Sequence, residues 1–99
     1  MPFTCDIHLQ PSQLDYGPLI FDSWIEAPWG QYVESGIAFV RAHDSYGSCV
    51  IELCGPGVLC DRADLRPGDV IGPGTVLARY QTDGEDIIYD RPVCQIQRR

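Results

Sequence analysis

Glycine and proline limit the fold of this chain more than any other feature of its sequence. Ten glycines and eight prolines are spread through 99 residues, and they interrupt every window long enough for a stable helix. Proline lacks the N–H that a helix interior needs and clashes with the preceding turn, and glycine loses the most conformational entropy there. The sequence therefore predicts an all-β domain, a small flattened barrel or sandwich of short strands.

Short apolar runs between the glycines and prolines mark the strands. The clearest run is 3–9, in which apolar and polar residues alternate with a period of two, as is typical of a half-buried strand. Over 37–43 the same alternation places Phe39 and Val40 on opposite faces, and 49–53 is the second arm of that hairpin. Further strands are predicted at 19–21, 58–60, 75–80 and 92–96.

The charge of the chain excludes several classes of partner. Its positive charge comes from seven arginines, against fourteen acidic residues, which leaves a formal net charge of −7. A nucleic acid or an anionic membrane surface would be repelled, so neither is expected as a partner. No apolar run approaches the length of a membrane span, and the first residues lack the basic and apolar regions of a signal peptide. We therefore expect a cytoplasmic protein.

The five cysteines are interpreted as reduced thiols, most of them buried. The alternative is a metal site or a small enzyme that uses Cys49, Cys54, Cys60 and a histidine. These three cysteines are more widely spaced than the close pairs that bind zinc. A nucleophilic pair of His43 and Cys49 is the other chemical possibility, against the interpretation of His43 as a strand-end histidine in solvent.

An internal repeat organises the chain. Two glycines six residues apart precede an apolar segment at 30–39 and again at 68–77, and 84–93 is a weaker third copy. Each copy predicts a tight turn, a short edge segment with one inward apolar residue, a second turn and then a strand. Glycine at the corners permits a positive φ, which other residues resist. The predicted structural turn residues are Gly30, Gly36, Gly68, Asp69 and Gly74.

These segments resemble a known family. Residues 65–78 and 28–40 look like the two quasi-repeated halves of the biotinyl and lipoyl carriers, each marked by Gly-Asp-x-Val-x-x-Gly before a strand. Residues 51–58 are similar to the strand and turn that join the halves, and 88–96 to the last strand of biotin carriers. The resemblance implies a barrel-sandwich hybrid over residues 19–97 of a single domain, 1–99. Residues 1–18 are then an N-terminal extension with an extra strand.

The resemblance also locates a hairpin tip, where the carriers hold their modified lysine. Here the tip is the turn from Asp44 to Gly47, and residue counting places Tyr46 or Ser48 at the lysine position. The chain contains no lysine, so it lacks the side-chain amine to which biotin or lipoate is attached. No cofactor is therefore expected. Asp44, Ser45, Tyr46 and Gly47 are predicted to form an interaction site in which Tyr46 either projects as an anchor or folds back over its own hairpin.

The expected function is a non-catalytic protein-binding or assembly module, a small subunit or adaptor of a larger complex. Its partner would be another protein or a second copy of the chain. Two alternatives stay open at this point: a small metal-binding or enzymatic protein based on the cysteines and a histidine, and a structural protein of a particle.

Overall fold

The computed structural model describes residues 3–82 and 93–98. Within those residues the fold consists of antiparallel sheets with no α-helix, which confirms the all-β prediction. A single 3-10 turn, Pro11–Gln13, follows the first strand. In chain order the strands are β1 (Phe3–Ile7), β2 (Leu19–Trp24), β3 (Tyr32–Val33), β4 (Ala38–His43), β5 (Ser48–Leu53), β6 (Gly57–Arg62), β7 (Val70–Ile71), β8 (Ala78–Thr82) and β9 (Cys94–Arg98).

The strands form two sheets. One has four strands in the order β1-β8-β6-β3, and the other has five in the order β7-β2-β4-β5-β9. One of the two sheets curls into a half-barrel. The β4–β5 hairpin lies inside the five-stranded sheet, flanked by β2 and β9, so the sheet supports its tip from both sides. No helix in the described part of the chain has the length and apolar character needed to cross a membrane.

The core draws on both sheets, which explains the alternating patterns in the sequence. The four-stranded sheet contributes Ile7 and Leu59, and the five-stranded sheet contributes Phe21 and Phe39. Each of these four side chains is almost completely buried. Burying a large apolar side chain stabilises the fold by about 1.5–3 kcal/mol, so this shared cluster is the main source of stability.

The structure corrects the predicted alternation in β4. Ala38 pairs with Glu52 and Val40 pairs with Ile51, so Phe39 is an extra residue without a partner on β5. Such a bulge lets successive side chains depart from strict alternation. Phe39 and Val40 are consequently both buried in the same core cluster rather than on opposite faces.

The repeated glycines lie at the corners of two similar turns. β3 lies between Gly30 (φ +83°) and Gly36 (φ +86°), and β7 lies between Gly68 (φ +96°) and Gly74 (φ +80°). Each of these short strands points its second residue, Val33 or Ile71, into the core. The glycine N–H groups donate to carbonyls of neighbouring segments, as Gly36 does to Leu53 (2.7 Å) and Gly74 to Leu9 (3.1 Å).

Asp69 belongs to the first of the two turns around β7. Its side chain accepts a hydrogen bond from the backbone N–H of Arg66 (2.9 Å), and its own N–H donates to the Arg66 carbonyl (3.0 Å). These two bonds close the turn that precedes β7. The third copy of the repeat, at 84–93, lies almost entirely outside the described residues.

Candidate functional site

The hairpin tip is held together by one aspartate side chain. Asp44 Oδ1 accepts hydrogen bonds from the backbone N–H groups of Tyr46 (2.9 Å) and Gly47 (3.2 Å), while the Asp44 N–H donates to the Gly47 carbonyl (3.0 Å). A short acidic side chain is suited to this task because it reaches N–H groups two and three residues ahead of it. The turn is therefore fixed from within.

Strand β9 secures the same aspartate. Arg98, the last residue of β9, donates from Nη1 to Asp44 Oδ1 (3.1 Å) and from Nη2 to Asp44 Oδ2. The side chain of Asp44 is only 2% exposed and that of Arg98 is 24% exposed, so solvent screens the pair only in part. The hydrogen bond from Arg98, helped by the two backbone N–H groups, lowers the pKa of Asp44 against the opposing effect of burial.

Two tyrosine rings surround the guanidinium. Arg98 lies 4.8 Å from the ring centre of Tyr16 and 5.0 Å from that of Tyr46, and the two ring centres are 4.7 Å apart. Ser45 Oγ donates to the Tyr16 carbonyl (3.0 Å), which ties the segment before β2 to the tip. We call Tyr16, Asp44, Ser45, Tyr46 and Arg98 the tip cluster. Cation–π contacts join both rings to Arg98, and hydrogen bonds join Arg98 and the Tyr16 backbone to the turn.

Both rings remain accessible. Tyr46 is 64% exposed and Tyr16 is 45% exposed. Tyr46 rests against Tyr16 and Arg98, a contact that neither interpretation of the sequence included. Sequence reasoning thus placed Tyr46 at an exposed turn, but it missed the two residues that support it.

The described residues give little support to a nucleophilic pair of His43 and Cys49 or to a metal site built from the cysteines. Cys49 faces the core opposite Ala42, and its burial raises its thiol pKa, so it does not pair with His43 as a nucleophile. His43 instead forms a hydrogen bond with Asp22 (2.8 Å). Residues 3–82 and 93–98 contain no group of three or more histidine, cysteine or acidic side chains arranged to hold a metal ion. Cys49, Cys54 and Cys60 are therefore not brought together as ligands.

The cysteines are free thiols that differ in burial. All five are free; two of them, Cys49 and Cys94, are buried, and the other three are partly buried. Burial raises the pKa of Cys94 to about 12. A raised pKa keeps the thiol protonated and unreactive at neutral pH.

A second aromatic cluster, buried at Phe21 and partly buried at its two tryptophans, lies away from the tip. The rings of Phe21, Trp24 and Trp29 follow one another edge to face, with centres 5.1 Å and 5.8 Å apart, and Arg62 lies over Trp24. An open groove of about 460 Å³ borders Trp29, Cys60 and Arg62. Both tryptophans pack partly against the core, so they offer less free surface than the two tyrosines of the tip.

Comparison of the chain with protein-family models, with curated proteins and with solved structures found no match.

Proposed function

We propose that this chain is a protein-binding or assembly module, a small subunit or adaptor of a larger complex, which contacts its partner through the tip cluster. One observation carries the proposal: two exposed tyrosine rings are held against an arginine whose charge is already neutralised by a buried aspartate. Nothing in that arrangement provides a nucleophile or a proton donor poised for chemistry. Its features are those of a contact surface.

The composition of the tip cluster supports a role in binding. Tyrosine and arginine are enriched among the residues that contribute most to protein–protein affinity. A tyrosine side chain has only two torsions to immobilise, and here contacts with Arg98 already restrain them. Because Asp44 neutralises the guanidinium, a partner that covers the tip does not have to bury an unpaired charge.

The fold supports the same proposal. Two antiparallel sheets, a pair of similar glycine-cornered turns and a hairpin that lies between those turns in the sequence are what a barrel of the biotinyl/lipoyl type would require. We propose this finer fold for residues 19–97, with β1 as an added strand. The chain has no lysine, so we further propose that the hairpin tip carries neither biotin nor lipoate. Instead, a partner binds the tip by contacting Tyr46.

The net charge narrows the choice of partner. With a formal charge of −7, the chain associates more readily with a neutral or basic protein surface than with an acidic one. Nucleic acids and anionic membranes are disfavoured for the same reason. We propose a protein partner in the cytoplasm, or a second copy of the chain if its contact surface is complementary.

A capture experiment with matched variants tests the proposal. The wild-type chain, Tyr46→Ala and Tyr32→Ala are used as baits in the native cell, and recovered proteins are quantified by mass spectrometry. Tyr32 is a suitable control because it is 63% exposed but lies on β3, in the other sheet. The partner is then titrated against all three chains.

Truncating Tyr46 should weaken binding of the partner by roughly 5- to 30-fold, which corresponds to the 1–2 kcal/mol of a moderate hot spot. Tyr32→Ala should bind like the wild type. Equal recovery and equal affinity with all three baits would show that the tip is not the contact surface.

A further inference from the structure

The outer face of the five-stranded sheet carries a second arrangement, separate from the tip cluster. His43 Nδ1 lies 2.8 Å from Asp22 Oδ1 and 3.0 Å from Asp22 Oδ2. A carboxylate accepts hydrogen bonds and does not donate them, so Nδ1 carries the shared proton. The imidazole is thereby oriented with its other nitrogen, Nε2, directed away from Asp22.

Ser48 lies on the opposite side of His43 from Asp22. The strand order is β2-β4-β5, with Asp22 on β2, His43 on β4 and Ser48 on β5. His43 and Ser48 are directly paired across the hairpin, next to the Asp44–Gly47 backbone bond. Side chains of directly paired residues lie on the same face of a sheet, with Cβ atoms about 4.5–5.5 Å apart. An acid, an imidazole and a hydroxyl thus follow one another across three adjacent strands.

A small recess lies beside Asp22 and Ser48, the two ends of this row. It has a volume of about 200 Å³ and reaches from Asp22 to Ser48, with Arg41 and Val50 among its lining residues. Val50 is buried without belonging to the core cluster, so it supplies an apolar patch beneath the recess. Arg41 supplies a positive charge at its wall, which would stabilise negative charge on the oxygen of a carbonyl group attacked within the recess.

We propose that Ser48 is an activated nucleophile that accepts an acyl group from small activated esters or thioesters, with His43 as the base and Asp22 as the residue that positions it. Ser48 Oγ forms a bond to the carbonyl carbon while its proton moves to His43 Nε2. The bond from that carbon to the leaving oxygen or sulfur then breaks, and the leaving group takes the proton. The products are an acyl-serine and a free alcohol or thiol.

The geometry favours stoichiometric modification over rapid turnover. Ser48 and His43 form no hydrogen bond in the structure, and such bonds often align only when the reacting molecule is bound. The site is also half-exposed on a sheet face, since His43 and Asp22 both remain accessible to solvent. The inference does not depend on the proposed function, because no residue of the tip cluster takes part in it.

The test uses a fluorophosphonate probe on the folded full-length chain. Attack by a serine hydroxyl forms an O–P bond, breaks the P–F bond and releases fluoride and a proton. Intact mass spectrometry counts the adducts and peptide mapping locates them. Ser45 is the matched control, since it is an exposed serine three residues away at the same tip but without an imidazole partner.

We expect one adduct, on Ser48, which is lost in Ser48→Ala and retained in Ser45→Ala. His43→Gln should slow the labelling by roughly a hundredfold, at the low end of what a general base contributes. Asp22→Asn should slow it as well, and labelling of Ser48 should disappear when the wild-type chain is unfolded in urea. Tyr46→Ala should be labelled normally, which separates this site from the tip.

Three results would each overturn the inference: no labelling of the folded chain, equal rates at Ser45 and Ser48, or an unchanged rate at Ser48 in His43→Gln. Thermal melts establish that each variant is folded. If His43→Gln does not fold, the labelling rate of Ser48 in Asp22→Asn is used instead, because only the orienting carboxylate has changed in that variant. An unchanged rate in Asp22→Asn would then overturn the inference.

Discussion

The positive φ at Gly74 allows a direct test of the turn that follows β7. Replacing Gly74 with valine should destabilise the chain because a β-branched residue resists the left-handed region in which this position lies, at φ +80°. An ideal Cβ atom built there meets no atom within 4 Å apart from its chain neighbours, so the Cβ itself has room. Backbone strain is therefore the main expected cause of the loss.

The expected loss in the free energy of unfolding can be worked out from the backbone strain. A non-glycine residue held in a disfavoured φ/ψ region costs about 1–3 kcal/mol, and β-branching places valine toward the upper part of that range. For a domain of this size, each 1 kcal/mol lowers the melting temperature by roughly 4–8 °C. Gly74→Val should therefore melt at least about 4 °C below the wild type.

Gly55 is the matched control. Its φ lies outside the left-handed region, and a Cβ atom there also meets nothing within 4 Å. Gly55→Val thus adds the same side chain without the strain. Urea unfolding and thermal melts of both variants should show a loss confined to Gly74→Val. If the two variants unfold at the same urea concentration, the turn around β7 is wrongly described.

Four further predictions concern the tip, the sheets and the mass of the chain. Tyr46→Ala should change the free energy of unfolding by no more than about 0.5 kcal/mol, as for most surface substitutions, and a larger loss in urea would mean that the ring has a structural role. Gly57→Ala should cost about 1–3 kcal/mol, because its Cβ would lie 2.5 Å from the Gln81 carbonyl oxygen; a neutral melt would contradict the close approach of β6 and β8. The pKa of Asp44 is lowered in the folded chain, so its ionised carboxylate stabilises the fold at pH values above 3.8, the ordinary pKa, and this stabilisation is lost as the pH falls through the lower pKa of the folded state. Arg98→Gln should therefore weaken the dependence of the urea midpoint on acidic pH. An unchanged dependence would show that the pair between Asp44 and Arg98 is not formed in solution. Intact mass spectrometry of the native protein should show no biotin or lipoate, and either group on any side chain would refute the argument from the missing lysine.

Sequence patterns locate best the strands whose apolar residues and flanking turns are close together in the sequence. The hairpin of β4 and β5 lies where the alternating runs around Asp44–Gly47 predict it, because two apolar segments and their turn are contiguous in the sequence. The predicted strand at 75–80 begins later, as β8 at Ala78. Thr75 first completes a turn, in which its Oγ1 accepts from the N–H of Gly72 (3.1 Å) and its own N–H donates to the Gly72 carbonyl (3.2 Å).

The features that sequence patterns did not locate depend on distant contacts. β3 and β7 are two residues long, too short for any period to appear, although the repeat did place an inward apolar residue in each. In the tip cluster, Tyr16 is bonded to Ser45 across 29 residues of sequence, and Arg98 is bonded to Asp44 across 54 residues. The partnership of His43 with Asp22 spans 21 residues and was likewise not anticipated. Such pairs follow from the register of the sheets, which local patterns do not specify.

Site-specific photocrosslinking in the native cell tests most directly whether the tip cluster contacts a protein partner. The photoreactive amino acid p-benzoylphenylalanine is placed at position 46 in one sample and at position 32 in another, since both tyrosines are exposed to a similar extent. Irradiation should join position 46 to one defined protein, or to a second copy of the chain, and should give no such product from position 32. Crosslinks from position 32 alone, or the same products from both positions, would contradict the claim.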